Sequence, residues 1–229
     1  MAGIRPVRWG VRVVVVFVSQ KQNIPLEGFE LGGDLKPFLE QLGAFDGFIP
    51  FASAGSSFPP AQVTSVPALR DFLAEYQRQL LIPVELPAIL RAAGHAQRNE
   101  ARELVALDQE LASLPLLSGF SEASRRVGSA HLRRLKPLRD HRVVQRYLAA
   151  VEEGRAQGWH TLTFGLTLAV YSIPLRQGLL GYAVQTTRGF IRAAGRPLGI
   201  SETQVHQLLT ESAASIPAGI EKLLQPVLG

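Results

Sequence analysis

The chain has 229 residues, 46% hydrophobic and 19% charged, with no cysteine. That composition fits a folded globular protein with material for one large core or two small ones. It excludes disulfides, thiolate nucleophiles and sulfur-ligated zinc or iron–sulfur sites. The 24 Lys and Arg against 19 Asp and Glu give a net charge of +5, short of the surface of a dedicated nucleic-acid binder.

The basic start and the apolar run Val13–Val18 imitate a signal peptide, but the run is short and Ser19-Gln-Lys-Gln offers no cleavage signal. Leu162 to Ile191 is interrupted by Pro174, Arg176, Gln177 and Arg188, leaving pieces shorter than the roughly 20 apolar residues that cross a bilayer. A cytoplasmic chain without a membrane span is expected. Residues 1–60 are punctuated by glycines and prolines; a strand over 11–18 and a helix over 35–42 are the regular pieces that fit, so the segment is an irregular lead-in.

From Pro67 the apolar spacing turns helical. Leu69, Phe72, Leu73, Tyr76 and Leu80 form one stripe behind a proline suited to a first turn. Leu86, Ile89 and Leu90 start a second helix that Gly94 should weaken or end, and Leu104, Leu107 and Leu111 mark a third, closed near Pro115. Phe120, Val127, Ala130 and Leu135 line a fourth. Val143, Val144, Tyr147, Leu148 and Val151 line a fifth, closed by Gly154 and Gly158. Helices follow over 160–173, 174–194 and 201–215, with a last short one from Pro217. Ser201-Glu-Thr-Gln204 has the capping-box form. Thr161 to Val170 is apolar nearly all round, as a central helix is, and Gly165 within it permits a close neighbour. The pattern predicts an all-α, single-domain bundle over 61–229 with about eight to nine helices.

No nucleotide-binding glycine loop occurs, and none of the five histidines (His95, His131, His141, His160, His206) has metal-pair spacing with another. The acids fall on polar helix faces. Only Asp108, on the third helix, and Asp140 invite a check for catalysis, and Asp140 suits a cap for the helix beginning near His141. Two basic features stand out. Eight Lys and Arg side chains lie between Arg125 and Arg146, with His131 and His141, against the single acid Asp140. They read as a solvated helix surface, a docking face for an acidic protein, or the footprint of a nucleic-acid-binding module, although only Tyr147 is near to stack on a base. Arg188, Arg192 and Arg196 repeat at four residues along one helix stripe that carries no acid, so a carboxylate elsewhere in the fold or on another protein is called for.

The order of motifs resembles the urease accessory protein UreF family. Val63-Thr-Ser-Val-Pro-Ala-Leu69-Arg-Asp-Phe-Leu73, Val84-Glu-Leu-Pro-Ala-Ile-Leu90, Leu104-Val-Ala-Leu-Asp108 and Glu122-Ala-Ser-Arg-Arg-Val-Gly128 carry the first part. Trp159-His160-Thr-Leu-Thr-Phe164-Gly165, Ile173-Pro174-Leu175 and Arg196-Pro197-Leu198-Gly199 carry the second. The match covers about residues 61–225, while the family's glycine-rich N-terminal segment has only a degraded counterpart at Gly47 to Phe58, which makes 1–60 divergent. The resemblance implies an all-α protein, usually a dimer, with no catalysis and no cofactor of its own. It implies a platform for the accessory protein UreH (also called UreD) and the GTPase UreG, whose assembly handles nickel and GTP for apo-urease. By its motifs His160, Phe164 and Gly165 define the fold. Tyr182, Arg188, Arg192, Arg196, Pro197, Leu198 and Gly199 form the expected contact region.

Overall fold

The computed structural model describes residues 63–228, and every regular element among them is helical. The strand and helix expected within 1–60 lie outside the described residues, as do the side chains of Phe120 and Arg196.

Helix α1 begins at Val66–Tyr76, where the Ser65 hydroxyl accepts the Ala68 amide at 3.3 Å and Pro67 occupies the first turn. Pro83 lacks an amide and would crowd the carbonyl one turn back in a regular α-helix. The chain absorbs it by widening into a π-helical segment, Gln77–Glu85, and continues into Leu86–Gln97 without a break. Gly94 does not end the helix as expected. The stop comes at Asn99, whose φ of 58° lets the Glu100 amide reach back to the His95 carbonyl at 2.9 Å.

Helix α2 is Ala101–Ala112. A 3₁₀ turn, Pro115–Phe120, leads into α3, Ser121–Arg134. The buried face of α3 includes Val127 and His131 in place of the expected Ala130, which is exposed. Helix α4 is Arg142–Glu152 and ends in Gly154 at φ 74°, with Gly158 at φ 73° in the connection to α5, His160–Val170. Helix α6, Leu175–Leu198, is the longest. Helix α7 has two arms, Glu202–Ala213 and Ile216–Leu228, divided by a two-residue kink in which Ala214 keeps right-handed helical angles. The capping box at Ser201 and Gln204 forms as the spacing predicts. Seven rods result, slightly fewer than expected, because the first two and the last two expected helices each run on as one.

Helix α5 is the axis of the bundle: every residue from His160 to Leu168 is buried. The last segment of α1 lies along one side and α3 along another, while α6 packs on α1 and on both arms of α7, and α2 pairs with α4. Two glycines set the closest approaches. A Cβ on Gly165 would sit 2.5 Å from the Ile89 carbonyl oxygen and 2.8 Å from the Ala92 Cβ. One on Gly128 would sit 2.6 Å from the His160 amide nitrogen. Two threonines of α5 satisfy their buried hydroxyls on backbone: Thr167 donates to the Thr163 carbonyl of its own helix at 2.8 Å and Thr163 to the Gly128 carbonyl of α3 at 3.4 Å, which lowers the polar penalty of a buried rod.

Gly165→Ala is expected to destabilise the fold by about 3 kcal/mol, since the obstacle is the backbone of α1 rather than a flexible side chain. Gly154→Ala, where nothing lies within 4 Å and only the positive φ resists, should cost about 1 kcal/mol. Urea unfolding of the two variants measures the contrast.

Candidate functional site

Three places hold the residues singled out by sequence: a buried polar centre, a carboxylate clamp and the outer end of α6. The polar centre forms because the π segment of α1 turns Glu85 inward, where it is 2% exposed. Its carboxylate accepts the Tyr76 hydroxyl at 2.5 Å, and the Tyr182 hydroxyl of α6 lies beside the same carboxyl. Burial pushes Glu85 up to about 7 against the opposing effect of the two tyrosine hydroxyls. Burial, reinforced by Glu85, pushes both tyrosines well above their ordinary value. His160 stacks near Phe164, with ring centroids 6.2 Å apart, and faces Tyr182 and His131, each at 5.9 Å. Burial holds His131 down at about 4, helped by Arg134, and His160 at about 3, helped by His131, so both rings are neutral.

His160, Phe164 and Gly165, expected to define the fold, all lie at the heart of the packing. Tyr182 does not match its expected role: at 1% exposure it belongs to the core, not to a contact surface. Glu85 is the residue that sequence reasoning missed, although an acid inside Leu80-Leu-Ile-Pro-Val-Glu85-Leu86 was a readable signal. Beside it is a cavity of about 10 Å³ lined by Val84, Ala88, Leu117, Ser124, Trp159 and Thr161 among others. That is space for one water molecule and none for a substrate. Among the described residues no group of three or more histidine, aspartate or glutamate side chains is placed to hold a metal ion.

Asp108, expected on a polar face, is fully buried. Its oxygens accept the Tyr147 hydroxyl at 2.7 Å and the amides of Gln157 and Gly158 at 2.5 and 3.0 Å. The carboxylate thereby ties α2 to α4 and to the loop that enters α5, and its acceptor capacity goes into that clamp. Asp140 is exposed and does not cap α4: His141 holds the cap position with no side-chain hydrogen bond.

At the outer end of α6, Arg188 is half-buried and Arg192 is exposed, one turn further on. The carboxylate sought for this stripe comes partly from within the fold: Arg192 pairs with Glu202 of α7 at 3.5 Å, a loose contact between exposed groups worth little to stability. Arg196 lies on the same helix. The expected turn at Pro197-Leu198-Gly199 is shifted, because the helix carries Pro197 and Leu198 in its last turn. Gly199 alone reverses the chain, at φ 64°. Pro197 and Gly199 are exposed and Leu198 half-buried. The basic cluster occupies α3, the start of α4 and their connection. No helix among the described residues is long and apolar enough to cross a membrane.

Folded Glu85 holds its proton up to about pH 7, whereas the unfolded side chain releases it near its ordinary 4.5. Between those values the native state binds the extra proton, so this group's contribution declines as pH rises, by about 3 kcal/mol in all. The neutral histidines act oppositely, costing stability as pH falls below their ordinary 6.5. Glu85→Gln imitates the protonated carboxyl. Its stability relative to the parent is expected to rise by about 3 kcal/mol between pH 4.5 and about pH 8, whereas a pH-independent difference would contradict a buried protonated carboxyl. Asp108→Ala strands two amides and a hydroxyl and should cost about 3 kcal/mol in the same unfolding measurement.

The geometry therefore presents polar groups committed to packing and a helical exterior with cationic stretches. Residues 63–213 match the UreF family. The chain is also 20% identical over 206 residues to the urease accessory protein UreF of Actinobacillus pleuropneumoniae, covering 90% of this chain and 82% of that protein. With the family match spanning well over half its length, the chain belongs to the UreF family of urease accessory proteins.

Proposed function

We propose that this chain is a scaffold in urease maturation, holding a UreG-like GTPase against a UreH/UreD-like accessory protein so that nickel reaches apo-urease. It works in the cytoplasm as a homodimer and performs no catalysis. Nickel is cargo of the assembly and GTP belongs to the GTPase, so neither is a resident cofactor. The observation that carries the reading is the family match over residues 63–213. The exposed end of α6 supports it: Arg192, Pro197 and Gly199 lie on the surface beside Arg188, a combination suited to polar partner contact at the rim of an interface.

Size-exclusion chromatography with light scattering tests the proposal. A dimer is expected alone, and a larger complex when the UreH-like and UreG-like partners are added. Arg192→Glu disturbs only a weak surface pair within the fold, so it should leave the chain folded while loosening the complex by about tenfold. A chain that ignores both partners refutes the scaffold.

A further inference from the structure

The corner between α3 and α4 carries the chain's densest positive charge, and four of its arginines differ from the carboxylate-paired ones elsewhere. Arg70, Arg91, Arg98 and Arg176 each close on a carboxylate at 2.7 to 3.0 Å. Arg133, Arg139, Arg142 and Arg146 are all exposed, and none of them has a carboxylate within ion-pair distance among the described residues. Lys136 reaches Glu152 only at 3.9 Å, with both side chains at least half exposed.

Arg133, Lys136, Pro137, Arg139 and Gln145 line an open groove of about 790 Å³. Its backbone is held in place: the Gln145 side-chain amide donates to the carbonyls of Lys136 and Leu138, both at 3.1 Å, and the Leu138 amide donates to Leu135 at 3.0 Å. Leu135 anchors the connection in the core. A ligand here meets a prearranged row of cations whose mutual repulsion it relieves.

We infer that this groove docks an acidic segment of a partner protein, a short run of Asp or Glu seated against Arg133, Lys136 and Arg139. The observations favour a peptide over a nucleic acid. Tyr147, the aromatic nearest the cluster in sequence, is fully buried on Asp108 and offers no face to a base. Three cations in the groove are fewer than the roughly six to ten phosphate contacts of strong duplex binders. The ring of Pro137 adds apolar surface that a peptide uses and a phosphate backbone does not. The inference shares with the scaffold reading only the premise that the chain works through protein contacts. Its test contains no urease component, so the two can fail separately.

The probe is a fluorescently labelled peptide of about eight glutamates, titrated with the full chain at low salt, with a DNA duplex of about 20 base pairs and inorganic phosphate as competitors. The parent is expected to bind the peptide, and R133E/K136E/R139E to bind it at least about tenfold more weakly. A control with the same change in net charge, R70E/R91E/R176E, is expected to stay within about twofold of the parent. Circular dichroism of both variants checks that they fold, and Arg139→Ala alone, which cannot disturb the core, should still lower affinity by about twofold or more. Equal loss in the two triple variants, no binding by the parent, displacement by phosphate at equal charge, or tighter binding of the duplex each overturns the inference.

Discussion

The bundle depends on how closely α5 can be approached. Gly165 lets the last segment of α1 pass with its Ile89 carbonyl where a side chain would otherwise stand, and Gly128 does the same for α3 against the start of α5. Interiors pack near crystal density, so removing one Cβ at each crossing brings two backbones within contact and buries the leucines of all three helices together. Leu86, Ile89, Leu132, Leu162 and Leu166 are all at 0% exposure. The outer pairs, α2 with α4 and α6 with α7, are hung on that axis.

The axis also explains where the buried charge chemistry ends up. Pro83 forces α1 into a wider turn. That turn places Glu85 opposite Tyr76 and Tyr182, where the carboxyl keeps its proton and donors and acceptors are shared among three side chains. His160 and His131 are neutral for the same reason of desolvation. Asp108 meets a different need: two backbone amides and a hydroxyl converge on it, so an acceptor is worth more there than an apolar residue. These acids are matched to neighbours already in the fold, which leaves the exterior as the place where the protein meets others.

On that exterior the charges divide into two kinds. Several surface arginines close on a nearby carboxylate, Arg192 on Glu202 included. Arg133, Arg139, Arg142 and Arg146 at the α3–α4 corner do not, and the backbone beneath them is pinned by Gln145. Unrelieved like charge on a rigid frame is a cost within the isolated chain and an asset in recognition, because an anionic partner removes the repulsion without first ordering the surface.

Local rules that act over one or two turns were legible from residues alone. The helical period of Leu69 to Tyr76, the capping box at Ser201, the glycine stops at Gly154 and Gly158 and the all-apolar character of α5 follow from side-chain spacing, hydrogen-bonding groups and φ preferences. The family resemblance was legible too, because ordered motifs survive where overall identity is low. What only the tertiary structure decided depends on groups far apart in the chain. Pro83 lies inside α1, which stays continuous by widening into the π segment. Gly94 reads as a stop, yet the helix runs on until Asn99 can reverse the chain. Asp108 and Tyr182 read as surface groups, but their partners come from 39 or more residues away for Asp108 and from α1 for Tyr182, and no local pattern records such pairings. That Arg133, Arg139, Arg142 and Arg146 have no carboxylate within ion-pair distance among the described residues is of the same kind: a count of charges gives their number, and only the fold shows which carboxylates are out of reach.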